Sequence, residues 1–175
     1  MFISKLRVSG FKSFSEDTTI SINTGLNGII GPNGSGKSNV VEAIKWVMGE
    51  NSSKSLRGAG MNDLIFNGSA SKASKNIALV SLTLEVDKNI LEDNYKKFIK
   101  DNIIEVERQA IGDSGSTYRI NGKEVKAKDI QYLFADFSSG SRSSNIIDQG
   151  TVGNLVLQKP IDRRRILDEA AGITG

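Results

Sequence analysis

Gly31-Pro32-Asn33-Gly34-Ser35-Gly36-Lys37-Ser38 fits the pattern G-x-x-x-x-G-K-[ST], the phosphate-binding P-loop. The motif needs a strand before it and a helix after it. Upstream, Leu26-Asn27-Gly28-Ile29-Ile30 reads as a short buried strand. Downstream, Ser38 to Met48 reads as a helix with Val40, Val41, Ile44, Val47 and Met48 on its apolar face. Gly31, Gly34 and Gly36 let the backbone approach a phosphate closely with successive N–H groups pointing inward. The helix N-terminus adds its own unpaired donors and partial positive charge. In that context Lys37 reaches the β- and γ-phosphates and the Ser38 hydroxyl is placed to ligate Mg²⁺. The plain structural alternative is a glycine-rich turn before an ordinary helix.

The rest of the composition narrows the chemistry. A chain of 175 residues, 38% hydrophobic and 25% charged, suits one globular domain with a sizeable core. No apolar run approaches a membrane span, and Met1-Phe2-Ile3-Ser4-Lys5 lacks the apolar centre of a signal peptide, so the expectation is a cytoplasmic protein. There is no cysteine and no histidine, which excludes disulfides, thiolate zinc sites, histidine triads and cysteine nucleophiles within this chain. Any metal is then a hard cation on oxygen ligands. With 23 basic against 20 acidic residues, the net charge of +3 permits nucleic-acid contact without demanding it.

Two strands, Ile3 to Val8 and Thr18 to Ile22, lead toward the loop, with Gly10-Phe11-Lys12-Ser13-Phe14 as a bend between them; Phe11 and Phe14 read as core as readily as anything else. After the helix, Gly49 is a stop and 51–58 reads as a polar loop containing Arg57. Ile77 to Asp87 ends in an acid and invites a Walker B reading. Its apolar residues Val80, Leu82, Leu84 and Val86 alternate with Ser81, Thr83, Glu85 and Asp87, however, and a Walker B strand buried on both faces would be almost continuously apolar. An antiparallel strand is expected instead.

Asn89 to Lys100 reads as a short helix or an insertion at a sheet edge. Ile103 to Ala110, Thr117 to Ile120 and Lys123 to Val125 read as strands of an antiparallel sheet distinct from the P-loop layer, the last two joined by the hairpin signal Asn121-Gly122. Lys128 to Phe137 reads as a helix, Ser138 to Ser144 as a linker, Ile146 to Gly150 as a short strand with a polar tip, and Ile161 to Ala171 as a helix whose Arg163, Arg164 and Arg165 face solvent or, less economically, phosphates.

Taken in order, Gly10-Phe11-Lys12-Ser13-Phe14, Gly31 to Asn39, Trp46-Val47-Met48-Gly49-Glu50, Leu56-Arg57-Gly58, Tyr118-Arg119-Ile120-Asn121-Gly122, Asp148-Gln149-Gly150 and Glu169-Ala170-Ala171-Gly172-Ile173 resemble the N-terminal head segment of bacterial SMC (structural maintenance of chromosomes) proteins across essentially the whole chain. The resemblance implies an α/β fold: the N-terminal half of an ABC-type P-loop NTPase head, residues 1–175, with an antiparallel β-subdomain, a Q-loop region at 145–151 and an exit helix at 161–175 where a coiled coil would begin. It implies ATP and Mg²⁺ at Gly31, Pro32, Asn33, Gly34, Ser35, Gly36, Lys37, Ser38 and Asn39. Lys12 and Ser13 lie where the family's first bend approaches the nucleotide. Arg57 matches an arginine loop beside it, linked in the family to DNA-stimulated activity, and Gln149 matches the glutamine that contacts Mg²⁺ and the attacking water. Lys37 and Gln149 are thus the catalytic candidates, and Ser38 and Gln149 the metal candidates. On pattern alone, Arg57 is a solvated arginine and Gln149 a polar residue before a turn. The stretch 135–144 departs from the glycine-rich wording common in the family.

The resemblance also implies what lies elsewhere. The signature motif, the Walker B aspartate and the catalytic glutamate belong to a C-terminal head segment, so this chain reads as a fragment that binds nucleotide weakly and turns over essentially none by itself. A parallel core sheet lacking strands from that other half would leave an open edge and apolar surface. The implied partners are the C-terminal segment, a second head, kleisin-type accessory subunits and DNA, with no membrane, in a nucleoid-associated cytoplasmic setting. Two other readings stay open: the head of a recombination-type DNA-repair ATPase, and a non-catalytic module that binds DNA or a partner.

Overall fold

The computed structural model describes residues 2–50, 61–86, 93–139, 159–161 and 164. The chain forms two compact units, Met1–Gln131 and Tyr132–Gly175. The first holds a sheet of six strands: β1 (Phe2–Ser9), β2 (Thr18–Ser21), β3 (Ile77–Glu85), β4 (Ile103–Ile111), β5 (Ser116–Ile120) and β6 (Lys123–Val125). Their spatial order is β2-β1-β3-β4-β5-β6, and every neighbouring pair is antiparallel.

The period-two alternation explains how this sheet buries one face. Leu6, Leu82, Val106 and Ile120 lie in one row across β1, β3, β4 and β5, and all four are fully buried. The row Arg7, Ser81, Glu107 and Arg119 belongs to the opposite face. β3 runs antiparallel to both β1 and β4, as expected for a strand that is not Walker B. The Asn121-Gly122 turn has φ of 46° and 76°, the positive values a two-residue type I′ hairpin needs.

Several expectations change. The first two strands were expected to lead to the P-loop strand, apart from the antiparallel sheet of 103–125. Instead β1 sits inside the antiparallel sheet, because its apolar residues Leu6 and Val8 share the inward phase of β3. Residues Leu26 to Ile30, expected as a buried strand, form no strand, and Leu26 and Ile30 are 103% and 95% exposed. A strand exists through hydrogen bonds to a neighbour, and none of the described strands runs alongside this segment. Its polar groups turn inward locally instead: the Asn27 side chain accepts from the Asn23 N–H at 3.1 Å and donates to the Asn23 carbonyl at 2.7 Å.

Helix α1 (Lys37–Val47) follows, packing on β3 and β4. Its buried apolar residues are Val40, Ala43, Trp46 and Val47. Val41, Ile44 and Met48, expected on the same face, form a second stripe that is exposed or half-buried. The short helix α2 (Asp93–Lys96) falls within the segment expected to hold one. Helix α3 (Ala127–Ser139) takes in Ser138 and Ser139, which had read as linker. At its start the Asp129 carboxylate reaches back and accepts from the Lys126 N–H at 2.9 Å, one half of a capping box. In the second unit Leu133 and Phe134 are buried. Among the described residues no helix is long and apolar enough to cross a membrane.

Candidate nucleotide-binding site

The loop from Gly31 to Gly36 delivers α1 with its N-terminal end open. Gly34 and Gly36 sit at φ of 81° and 89°, where a side chain is strained. At Gly31 an added Cβ would lie 2.8 Å from the Ser35 hydroxyl, which would have to turn aside. Gly36 occupies the N-cap without any side-chain cap, and the first turn carries no acidic residue. The donors and partial positive charge of that end are therefore left for an external anion. The Lys37 ammonium folds over the loop, donating to the carbonyls of Gly31 and Pro32 at 2.7 Å each. An exposed ammonium beside an uncapped helix end and positive-φ glycines is a donor set that fits a polyphosphate. Ser38, in the same first turn, is exposed.

The bend at Gly10 to Phe14 closes on this end of the helix. It is held from the other side by residues 64–66: Lys12 N–H donates to the Leu64 carbonyl and Phe66 N–H to the Gly10 carbonyl, both at 2.8 Å. Ser13 is thereby brought to the P-loop, where its hydroxyl accepts from the Asn39 side-chain amide at 2.8 Å. Lys12, at φ 47°, reaches a different target and pairs through its ammonium with the Glu42 carboxylate on α1. Glu42 is 5% exposed, so the pair ties the bend to the helix out of water. Phe11 is fully buried with its ring centroid 5.3 Å from that of Trp46, which assigns it to the core.

The opposite end of α1 rests on a buried cation. Arg108 of β4 is 2% exposed and donates from one guanidinium nitrogen to the carbonyls of Trp46 at 2.7 Å and Glu50 at 2.9 Å. Its guanidinium lies 4.6 Å from the Trp46 ring centroid and 4.7 Å from that of Tyr118. Burial pushes Arg108 down to about 10, which leaves it charged at neutral pH, and burial likewise raises Tyr118. Arg108 and Glu42 are the residues that pattern reading passed over. Arg108 had a signal: it falls on the inward phase of a strand whose other inward residues, Ile104, Val106 and Ala110, are apolar. Arg119 points the other way, donating to Glu107 at 2.8 Å and Gln109 at 3.1 Å.

The structure therefore brings together Gly31 to Asn39 with Ser13, and places Lys12 one helical turn along. Arg57 and Gln149, with the Q-loop region 145–151, lie outside the described residues.

Comparison with known proteins agrees with this geometry. The profile described as RecF/RecN/SMC N terminal domain matches residues 2–141. Similar curated proteins include the chromosome partition protein Smc of Cereibacter sphaeroides, 46% identical over the whole chain, and that of Myxococcus xanthus, 47% identical over 99% of it. The chain spans about 15% of the length of these relatives. Among solved structures, a chain from work on ATP-driven dimerization and DNA-stimulated activation of SMC ATPases superposes with a TM-score of 0.82 at 28% identity, covering 97% of this chain and 99% of that one. An Smc head bound to the C-terminal domain of ScpA from Pyrococcus furiosus gives 0.77 at 29% identity, over 96% of this chain and 41% of that one. The chain belongs to the RecF/RecN/SMC N-terminal domain family and has the fold of the N-terminal part of an SMC ATPase head.

Proposed function

We propose that residues 1–175 work as the ATP-binding half of an SMC head, whose hydrolysis of ATP, once completed by a C-terminal head segment, drives head engagement and the organisation of DNA during chromosome condensation and segregation. The observation that carries this reading is the uncapped, acid-free N-terminus of α1 behind Gly34 and Gly36, with Lys37 laid over the loop. Its backbone donors and Lys37 bind and orient the β- and γ-phosphates, Ser13 and Asn39 fix the mouth of the loop, and Ser38 with Gln149 hold Mg²⁺. Held by Ser38 and Gln149, Mg²⁺ would supply neutralisation of negative charge on the phosphates. Arg57 acts beside the nucleotide and Gln149 orients the attacking water. The carboxylates that complete hydrolysis come from the C-terminal segment, and a second head closes the site.

The names of the relatives support chromosome partition, and the ScpA-bound Smc head supports a kleisin-type partner for this chain as well. Nucleoid association in the cytoplasm and contact with DNA follow from the same reading. Relatives called Smc matching the chain end to end favour it over the repair-type head. The test is ATP binding and turnover by the chain alone and after mixing with a C-terminal head segment. Turnover is expected only in the mixture and is expected to vanish with Lys37→Ala. Turnover by the chain alone that Lys37→Ala abolishes would overturn the division of labour, and binding indifferent to Lys37→Ala would overturn the site.

A further inference from the structure

We infer that Arg108 is a positioning residue for the nucleotide site, acting from the far end of the P-loop helix. The inference rests on the ATP-binding reading above. Helix α1 has two ends with opposite needs. The N-terminal end offers its donors to an anion and is tied to the Gly10–Phe14 bend through the hydrogen bond between Ser13 and Asn39, with the Lys12–Glu42 pair one turn further on. The C-terminal end presents carbonyls, the negative pole of the helix. One of them, that of Trp46, receives the Gly49 N–H at 3.1 Å and Arg108 as well.

Placing a guanidinium there has a cost, since burial disfavours its charge. Alternatives of lower cost exist for stability alone: position 108 lies on the inward phase of β4, between Val80 and Tyr118 in register, where Leu or Met would fill apolar space. What the cation adds is direction. Its planar group is clamped between the Trp46 and Tyr118 rings and aims at two carbonyls, of Trp46 and Glu50, so it fixes both the height and the rotation of the helix end relative to β4 and β5. A rigid helix fixed at one end carries that position to the other, where Lys37 and the loop donors must meet phosphates. Small misplacement at that distance is costly to a site that works by orientation.

The test uses the assembled head, formed from this chain and its C-terminal complement, with a fluorescent ATP analogue as probe. Arg108→Met and Arg108→Lys are compared with wild type and Lys37→Ala well below each melting transition. Arg108→Met is expected to weaken nucleotide binding about tenfold or more. Arg108→Lys, which keeps the charge but loses the planar stack, is expected to fall between it and wild type. Amides of residues 37–41, remote from the substitution, are expected to exchange faster in both variants without nucleotide. A lowered melting temperature with unchanged affinity and unchanged exchange at 37–41 would make Arg108 purely structural and overturn the inference. Should Arg108→Met fail to fold, Arg108→Lys decides by the same criteria. Wild type binding no better than Lys37→Ala would overturn the ATP reading and this inference together, whereas binding lost in Lys37→Ala but intact in both Arg108 variants overturns this inference alone.

Discussion

At the scale of single residues, the glycines divide by what they make possible. Gly10 sits at φ 63°, and a Cβ added there would run into the Ile77 carbonyl oxygen on the neighbouring backbone. Neither obstacle can be relieved by a side-chain rotation, because both belong to main chain. Gly10→Ala is therefore expected to destabilise the fold by about 3 kcal/mol or more, combining a left-handed backbone with a main-chain clash. Thermal unfolding of the variant checks it, and a loss under about 0.5 kcal/mol would show that the bend can relax. At Gly36 the obstacle to a Cβ is the Ser13 hydroxyl, a movable side chain 2.5 Å away. Residue-level geometry was readable where it is local: the positive φ of Gly34 and Gly36 follows from the motif. It was unreadable where it depends on a distant partner. Nothing near Lys12 in sequence announces Glu42, which arrives from 30 residues away when the bend folds over the helix. Arg108 was legible in principle as a charge on the apolar phase of its strand, but its partners, two carbonyls and two rings, come from three residues, Trp46 at the end of α1, Glu50 just past it and Tyr118 on β5.

At the scale of elements, alternation carried the strands β3 to β6 almost to the residue, and the Asn-Gly turn fixed the last hairpin. The failure of the strand at 26–30 has the opposite origin, since its apolar content was read correctly but strand pairing is a property of two segments. The approach to β2 offers a test of how such an element is secured. Arg7 of β1 forks onto Asp17, just before β2, through Nε at 2.9 Å and Nη2 at 2.5 Å. This hydrogen bond holds the Asp17 carboxyl below its ordinary value of 3.8. A depressed folded-state value means that the ionised carboxylate favours the native state above the ordinary value, and that this contribution disappears as pH falls through the lower, folded one. Both partners are about half exposed, at 47% and 49%, so the contribution is under about 1 kcal/mol. Asp17→Asn is expected to melt slightly below wild type at neutral pH, with the gap closing as pH falls below the ordinary carboxyl value. A gap that persists unchanged in acid would assign the effect to something other than the ion pair.

At the scale of the whole molecule, part of the apolar surface exposed among the described residues flanks the P-loop. Leu26, Ile29 and Ile30 are exposed on the segment entering the loop, and Val41, with Ile44 and Met48 half-buried, forms the second stripe of the helix leaving it. A helix with apolar residues on two sides belongs between two layers, and the described sheet supplies one. On the proposed reading, the missing layer is a parallel sheet contributed by the C-terminal head segment, in which 26–30 becomes the strand its composition suggests. This has a direct consequence for hydrogen exchange, because unpaired exposed amides exchange freely and ladder amides do not. Adding the C-terminal segment is expected to slow exchange at 26–30 by about tenfold or more, while the already paired amides of β3 change little. The same addition is expected to slow exchange along α1 less, since its backbone is already hydrogen-bonded. Equal exchange at 26–30 with and without the complement, in a mixture shown by sedimentation to have associated, would mean that the two parts join through another surface. The exposed stretch before Gly31 would then be a lead-in to the loop whose apolar residues serve some other contact.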